Sequence, residues 1–186
     1  PDITLELSID HGFRDIVADG FDAGVRLGES VERDMIAVRI GPDARLVAVA
    51  TPAYFATVPP PVTPNDLTAH RCINLRFVST SALYAWEFRK GDQTLRARVS
   101  GQVISNSINA CLTATLDGFG IGFLPEDLVA PAIATGALVQ VLDDWSPTFP
   151  GLHLYYPSRR QTSPAFRLVL DALRFPKGAS PNLTKS

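Results

Sequence analysis

Short runs of period-two hydrophobicity alternate with helical stripes along this chain. Ile3-Thr4-Leu5-Glu6-Leu7 alternates apolar and polar positions and predicts a strand over Ile3–Ser8. Asp10 can cap the next helix, where Phe13, Ile16 and Val17 form an apolar stripe and Gly20 supplies the stop. FDAGVRL at 21–27 predicts a short buried strand closed by Gly28. Strand, helix and strand in that order imply a right-handed parallel crossover. Further strands are predicted over Met35–Ile40 and Leu46–Ala50, with a Gly41-Pro42-Asp43 turn between them.

The texture changes at Thr51-Pro52, where Thr51 as cap and Pro52 at the first helical position start a short helix holding Tyr54 and Phe55. VPPPVTPNDL then reads as an exposed, stiff loop, with prolines at Pro59, Pro60, Pro61 and Pro64. Cys72–Phe77 predicts a strand, and Tyr84–Arg89 with Leu95–Ser100 a hairpin turning at Lys90-Gly91-Asp92-Gln93.

The segment SNSINACLTATLDGFGIGFLP, Ser105 to Pro125, is the richest in local signals. Ser105, Asn106 and Ser107 all favour the N-cap position, where a side-chain oxygen satisfies a free backbone N–H. Ile108, Leu112, Thr115 and Leu116 share one helical face, Gly118 and Gly120 end the helix, and Ile121, Phe123 and Leu124 continue as a strand. Such a helix start suits an anion, although the same cap also occurs purely for stability. Pro125–Ala134 predicts another helix, Leu138–Leu142 and Leu152–Tyr156 strands, and PSRRQT at 157–162 a loop. Ser163 caps the last helix and Pro164 begins it, with Phe166, Val169, Leu170 and Leu173 on one face.

The last strand and helix need a sheet to pack on, while the middle segment carries strands and helices of its own. The layout is therefore two α/β lobes: residues 1–49 and 150–176 form lobe one, residues 50–149 lobe two, and 177–186 a frayed tail. Two crossovers, near Ala48–Ala50 and Phe149–Gly151, imply a hinged cleft, a favoured ligand position.

Composition narrows the function. The 186 residues are 46% hydrophobic and 19% charged with a formal net charge of −2, which fits a globular chain and lacks the basic face of a nucleic-acid binder. Cys72 and Cys111 form no CxxC pair, and His11, His70 and His153 are scattered, so no metal or cofactor site is expected. The thiols read as buried and reduced, with a redox switch as the alternative. No apolar run approaches the ~20 residues that span a membrane. GFGIG at 118–122 follows a helix and precedes a strand, the reverse of a dinucleotide loop, and no GxSxG elbow occurs, so the chain is not expected to be an enzyme. Asp143-Asp144 reads as a solvated loop pair. Pro1, leading straight into a strand, suggests that further protein lies upstream.

FDAGVRLG at 21–28, LVAVATPAYF at 46–55, PNDLTAHRCINLRF at 64–77, the glycine segment at 118–125 and YYPSRRQTSPAFRLVLDAL at 155–173 form an ordered set. Together they resemble the effector-binding domain of a LysR-type transcriptional regulator, over nearly the whole chain before the tail. The resemblance implies a two-lobed fold like the type 2 periplasmic binding proteins, with an effector held in the hinged inter-lobe cleft. It also implies a cytoplasmic homodimer or tetramer associating through lobe one. Binding to DNA would come only from N-terminal winged helix-turn-helix modules, which have no counterpart here, nor do the first strand and helix of lobe one. A periplasmic-type solute-binding protein is the alternative use of the same lobes.

The family's effector contacts map onto Ser8 and Asp10, Asn74 and Arg76, Ser105, Asn106 and Ser107, and the crossover at Phe149. Ser105–Ser107 offers hydroxyls and free amides to a carboxylate. Arg76 suits either a two-pronged carboxylate clamp or a surface ion pair, and Asn74 either an orienting donor or a strand-end turn. Asp10 can be a plain helix cap. Arg26, unusual in a buried strand, faces the cleft or pairs with a carboxylate at the lobe interface. Phe119 and Phe123 are expected in the core rather than in the pocket.

Overall fold

Alternation along one strand organises most of the chain. In the computed structural model, which describes residues 3–9, 16–27, 34–77, 81–158 and 163–176, that strand is β3, Ala44–Ala50. Val47, Ala48, Val49 and Ala50 are all completely buried, so both of its faces are covered. Around it, in chain order, lie β1 (Gly24–Leu27), β2 (Met35–Arg39), α1 (Pro52–Phe55), β4 (Asn74–Leu75), β5 (Trp86–Lys90), β6 (Gln93–Ala97) and β7 (Ile104–Ser105). Then follow α2 (Ile108–Leu116), β8 (Gly122–Pro125), α3 (Glu126–Ala134), β9 (Val139–Val141), β10 (Thr148–Phe149), β11 (Leu152–Pro157) and α4 (Pro164–Leu173). Among the described residues, those up to Ala44 and from Phe149 onward make unit one, and Arg45–Thr148 make unit two. The first boundary precedes the Ala48–Ala50 expected from sequence, because Val47–Ala50 are already core to unit two.

Unit one holds an antiparallel sheet in the order β1-β11-β2. The expected parallel crossover is not found among the described residues: β1 pairs with β11, a strand from the far end of the chain. Residues 3–9 join no ladder, so the Ile3–Ser8 strand is not formed; a strand exists only where a partner takes its backbone groups, and β1, β11 and β2 pair with one another. Where the sequence predicts a helix stop at Gly20, residues 16–20 are turns, and the start of the expected helix lies outside the described residues. Gly20 has φ +77°, its N–H donates to Val17 O at 3.2 Å, and the Phe21 N–H donates to Ile16 O at 2.8 Å, a turn closed by a glycine in the left-handed region. Phe13 and Gly28 lie outside the described residues, as do Arg159, Arg160 and the tail from 177. Ser163 caps α4 through the Phe166 N–H at 3.2 Å, and the Phe166 ring meets Tyr156 edge-on at 5.2 Å. Arg26 is half-buried with its guanidinium 5.0 Å over the Tyr155 ring, so its stem and charge are accommodated inside unit one.

Unit two is built on the two faces of β3. Ala48 and Ala50 face Trp86, Phe88, Ile121, Phe123 and Trp145, and small residues there leave room for the rings. Val47 and Val49 face Cys111, Val129 and Leu138, under α2 and α3. β8 and β9 both run antiparallel to β3, and β10 pairs with it as well. The hairpin β5–β6 turns through Gly91-Asp92, with Gly91 at φ +57°, and sends Trp86 and Phe88 inward. The proline-rich stretch is less exposed than its composition suggests. Pro61 and Pro64 are buried, and a 3-10 helix over Pro64–Ala69 is opened by reciprocal Thr63–Asp66 bonds that seat Leu67 in the core.

Phe123 is central to the aromatic face, 5.1 Å from Trp86 and 5.0 Å from Phe88 between ring centroids. Phe123→Ala is expected to cost about 3–5 kcal/mol in urea unfolding followed by tryptophan emission, since the rigid rings around it can close the cavity only in part.

His70 is 6% exposed. Tyr54 Oη accepts from the Arg71 N–H at 3.0 Å and is hydrogen-bonded to His70 Nδ1 at 3.2 Å. Burial pushes the His70 pKa down, against the upward pull of the Asp66 carboxylate. The unfolded chain therefore takes up a proton near pH 6.5 that the folded chain refuses. Stability is complete above that value and falls as pH drops through it toward the lowered folded pKa. A urea midpoint measured from about pH 7.5 to about pH 5 should show this decline, and His70→Gln should lose that part of the slope.

Candidate functional site

β4 and β7 are the parallel pair of unit two, in register Asn74↔Ile104 and Leu75↔Ser105. The Asn74 N–H donates to Val103 O at 3.0 Å and the Arg76 N–H to Ser105 O at 2.8 Å. Both strands therefore end on the same side, which brings Arg76 beside Ser105, Asn106 and Ser107. Ends of parallel strands are where α/β proteins gather ligand-binding groups, because the backbone leaves the sheet there with polar groups unspent.

Ser107 is the N-cap of α2, extended at φ −113° and ψ 122°, and its Oγ accepts from the Ala110 N–H at 3.4 Å. Ser105 Oγ accepts from the Ser107 N–H at 3.1 Å. These two serines take up two donors, and the amides of Ile108 and Asn109 at the helix start have no acceptor within the helix. The first turn of α2 carries no acidic side chain, so nothing local competes with an incoming anion. Asn106 is exposed between the serines. At its other end the helix stops as expected: Gly118 has φ +78°, and the Gly118 and Phe119 N–H groups donate to Thr115 O and Ala114 O at 3.0 and 3.1 Å.

Asn74 is 2% exposed and paired within β4, a strand residue rather than a strand-end turn. Arg76 is exposed, and its Nη1 donates to the Ser81 carbonyl at 2.6 Å, so its guanidinium serves the following loop instead of an ion pair. Ser8 is exposed in unit one, and Phe149 is half-buried in β10. Asp10 lies outside the described residues. The structure thus gathers Asn74, Arg76, Ser105, Asn106 and Ser107 within unit two, while Ser8 and Phe149 belong to unit one. Phe123 is core as expected, whereas Phe119 is 50% exposed, because it follows the helix stop on the outer side.

Asp143 and Asp144 do more than face water. Asp143 and Glu126 both accept from Arg45, which also donates to the carbonyls of Asp143 at 2.7 Å and Ser146 at 3.3 Å. Asp144 pairs with Lys90, whose ammonium lies 5.6 Å over the Trp145 ring. The sequence signal for this cluster was an arginine leading an otherwise apolar strand. Both cysteines are free, buried thiols; burial raises their pKa values, that of Cys72 to about 12. Among the described residues no group of His, Cys, Asp and Glu could hold a metal ion, and no helix is long and apolar enough to cross a membrane.

Ser107→Ala is expected to destabilise unit two by about 0.5–2 kcal/mol in urea unfolding, the usual cost of an emptied N-cap.

Comparison with known proteins gives a consistent result. The family model described as "LysR substrate binding domain" matches residues 1–175. A Pseudomonas aeruginosa protein named as a transcriptional regulator is 54% identical over 97% of this chain and 60% of its own length. The Escherichia coli HTH-type transcriptional regulator PgrR is 42% identical over 96% of this chain, again 60% of its own length. The full-length structure of AphB, the Vibrio cholerae virulence activator of the LTTR family, aligns with a TM-score of 0.76 at 26% identity, covering 93% of this chain and 58% of that one. The chain thus spans about three fifths of the length of the regulators it matches.

Proposed function

The chain belongs to the LysR substrate-binding domain family, the two-lobed, periplasmic-binding-protein-like effector domain of LysR-type regulators, and from that premise we propose that it senses a small organic anion. The anion sits at the start of α2, against Ser105, Asn106 and Ser107, with Asn74 and Arg76 at the neighbouring strand end. One observation carries this reading: the parallel pairing of β4 and β7, which sets both polar segments at one edge beside unclaimed helix amides. Arg76 Nη1 already serves Ser81, so the guanidinium contributes long-range charge while the backbone amides make the directed bonds.

In the parent protein the bound anion stabilises one arrangement of the effector domain over another, and so alters how N-terminal modules engage DNA. Only differential affinity for the two arrangements can do this. The parent is read as a cytoplasmic homodimer or tetramer associating through lobe one. The domain itself is read as a binding protein without catalytic activity.

A thermal-shift screen of small organic acids tests the site. A hit present at about a hundred times its dissociation constant should add about 2.7 kcal/mol of stability. Ser107→Glu places a carboxylate where the anion sits and should abolish the gain. Undiminished binding to that variant would falsify the α2 anion site.

A further inference from the structure

Unit two has a concavity beside Asn74, between the stretch 82–85 and the end of β6. It has a volume of about 290 Å³ and is lined by Asn74, Leu83, Tyr84, Arg98 and Val99, with Ala82 and Ala85 completing the wall. Every described lining residue belongs to unit two, and among them only Asn74 is shared with the α2 site. We propose that this is a separate ligand pocket for a small monocarboxylate with a planar apolar body, in which Arg98 takes the carboxylate.

The chemistry of the wall sets the class of ligand. Among the described residues Arg98 is the one charged residue of the lining, and no acidic side chain accompanies it. It follows β6 in the sequence and is exposed, and it makes no ion pair or hydrogen bond to the described residues. Two other arginines of unit two are already engaged: Arg96 is spent on Glu87, and Arg45 on Glu126 and Asp143. A guanidinium with open donors beside a concavity fits a carboxylate with two parallel bonds.

The rest of the wall is apolar. Leu83 is 40% exposed, and Val99 is buried beneath the mouth. Tyr84 lies nearly parallel to Phe123, 6.5 Å between centroids and 18° between planes, so its ring is fixed from behind by the core. A ring held this way is a platform for a flat ligand rather than a mobile flap. Asn74, 2% exposed, supplies the polar group at the base, fixed by its place in β4. The volume lies at the low end for small-molecule sites, which limits the ligand to about one ring.

Phenylacetate is a suitable probe, with acetate lacking the ring and phenylacetamide lacking the charge. Titration of the 15N-labelled chain up to about 10 mM, read by two-dimensional NMR, should give saturable shifts at residues 82–85, Arg98 and Val99 with phenylacetate. Acetate and phenylacetamide should each bind about tenfold more weakly or worse. Arg98→Gln, at an exposed position that leaves the core intact, should weaken phenylacetate by about tenfold and leave phenylacetamide unchanged. Leu83→Trp should fill the pocket and remove both. Ser107→Glu should leave the phenylacetate shifts at 82–85 unaltered, which separates this pocket from the α2 site. The proposal is overturned if phenylacetate gives no saturable shift at residues 82–85, if Arg98→Gln binds it as well as the parent chain does, or if its shifts vanish in Ser107→Glu.

Discussion

Burial of β3 on both faces is the constraint from which unit two follows. A strand covered on one side tolerates large residues facing solvent, but Val47–Ala50 have no such side. Aromatic rings fill the space over Ala48 and Ala50, and helices α2 and α3 close over Val47 and Val49. The alternation of alanine and valine is therefore a division of volume between two layers. A larger residue at Ala48 would displace rings, while a smaller one at Val49 would leave a void beneath the helices.

The position of the α2 site descends from that arrangement. Residues 71–73 run between two neighbouring stretches of backbone. The Cys72 N–H donates to Ser100 O, the Ile73 N–H to Ile121 O, and the Ile121 N–H to Arg71 O, all at 2.8 Å. The approach is close enough that a Cβ on Gly101 would lie 1.9 Å from Cys72 O, and one on Gly120 2.2 Å from Arg71 O. Glycine at both positions lets the chain enter β4 at the depth where Asn74 is buried and Arg76 emerges beside Ser105. The polar edge is held by main-chain bonds from both sides, which suits a surface meant to meet a ligand without reorganising.

Local signals in the sequence were read correctly where they needed no distant partner. Thr51-Pro52, Ser107 and Ser163-Pro164 begin helices, Gly118 ends one, and Gly91-Asp92 turns the hairpin. Pairing was not legible, because alternation specifies a strand without naming its neighbour. Hence β1 was expected to run parallel to an N-terminal strand, whereas it runs antiparallel to β11. The grouping of Asn74–Arg76 with Ser105–Ser107 came from family resemblance, since nothing in either segment alone states that β4 and β7 are adjacent. The roles of Arg45 and Arg98 were hidden for a related reason. Whether an arginine's donors are spent depends on carboxylates far away in the chain, such as Glu126 and Asp143 for Arg45.

Both tryptophans of the chain, Trp86 and Trp145, lie in the aromatic layer of unit two, and unit one carries none. Indole emission is therefore a private signal of one half of the molecule. A fluorescence transition reports when the β3 layer opens and is blind to loss of the β1-β11-β2 sheet. Two of the four tyrosines, Tyr155 and Tyr156, lie on the central strand of unit one and the other two, Tyr54 and Tyr84, in unit two, so a tyrosine phase with no tryptophan counterpart reports unit one. Tyrosine and tryptophan channels recorded on one sample would thus show whether the units melt together or apart, and a single-wavelength melt would conceal the distinction.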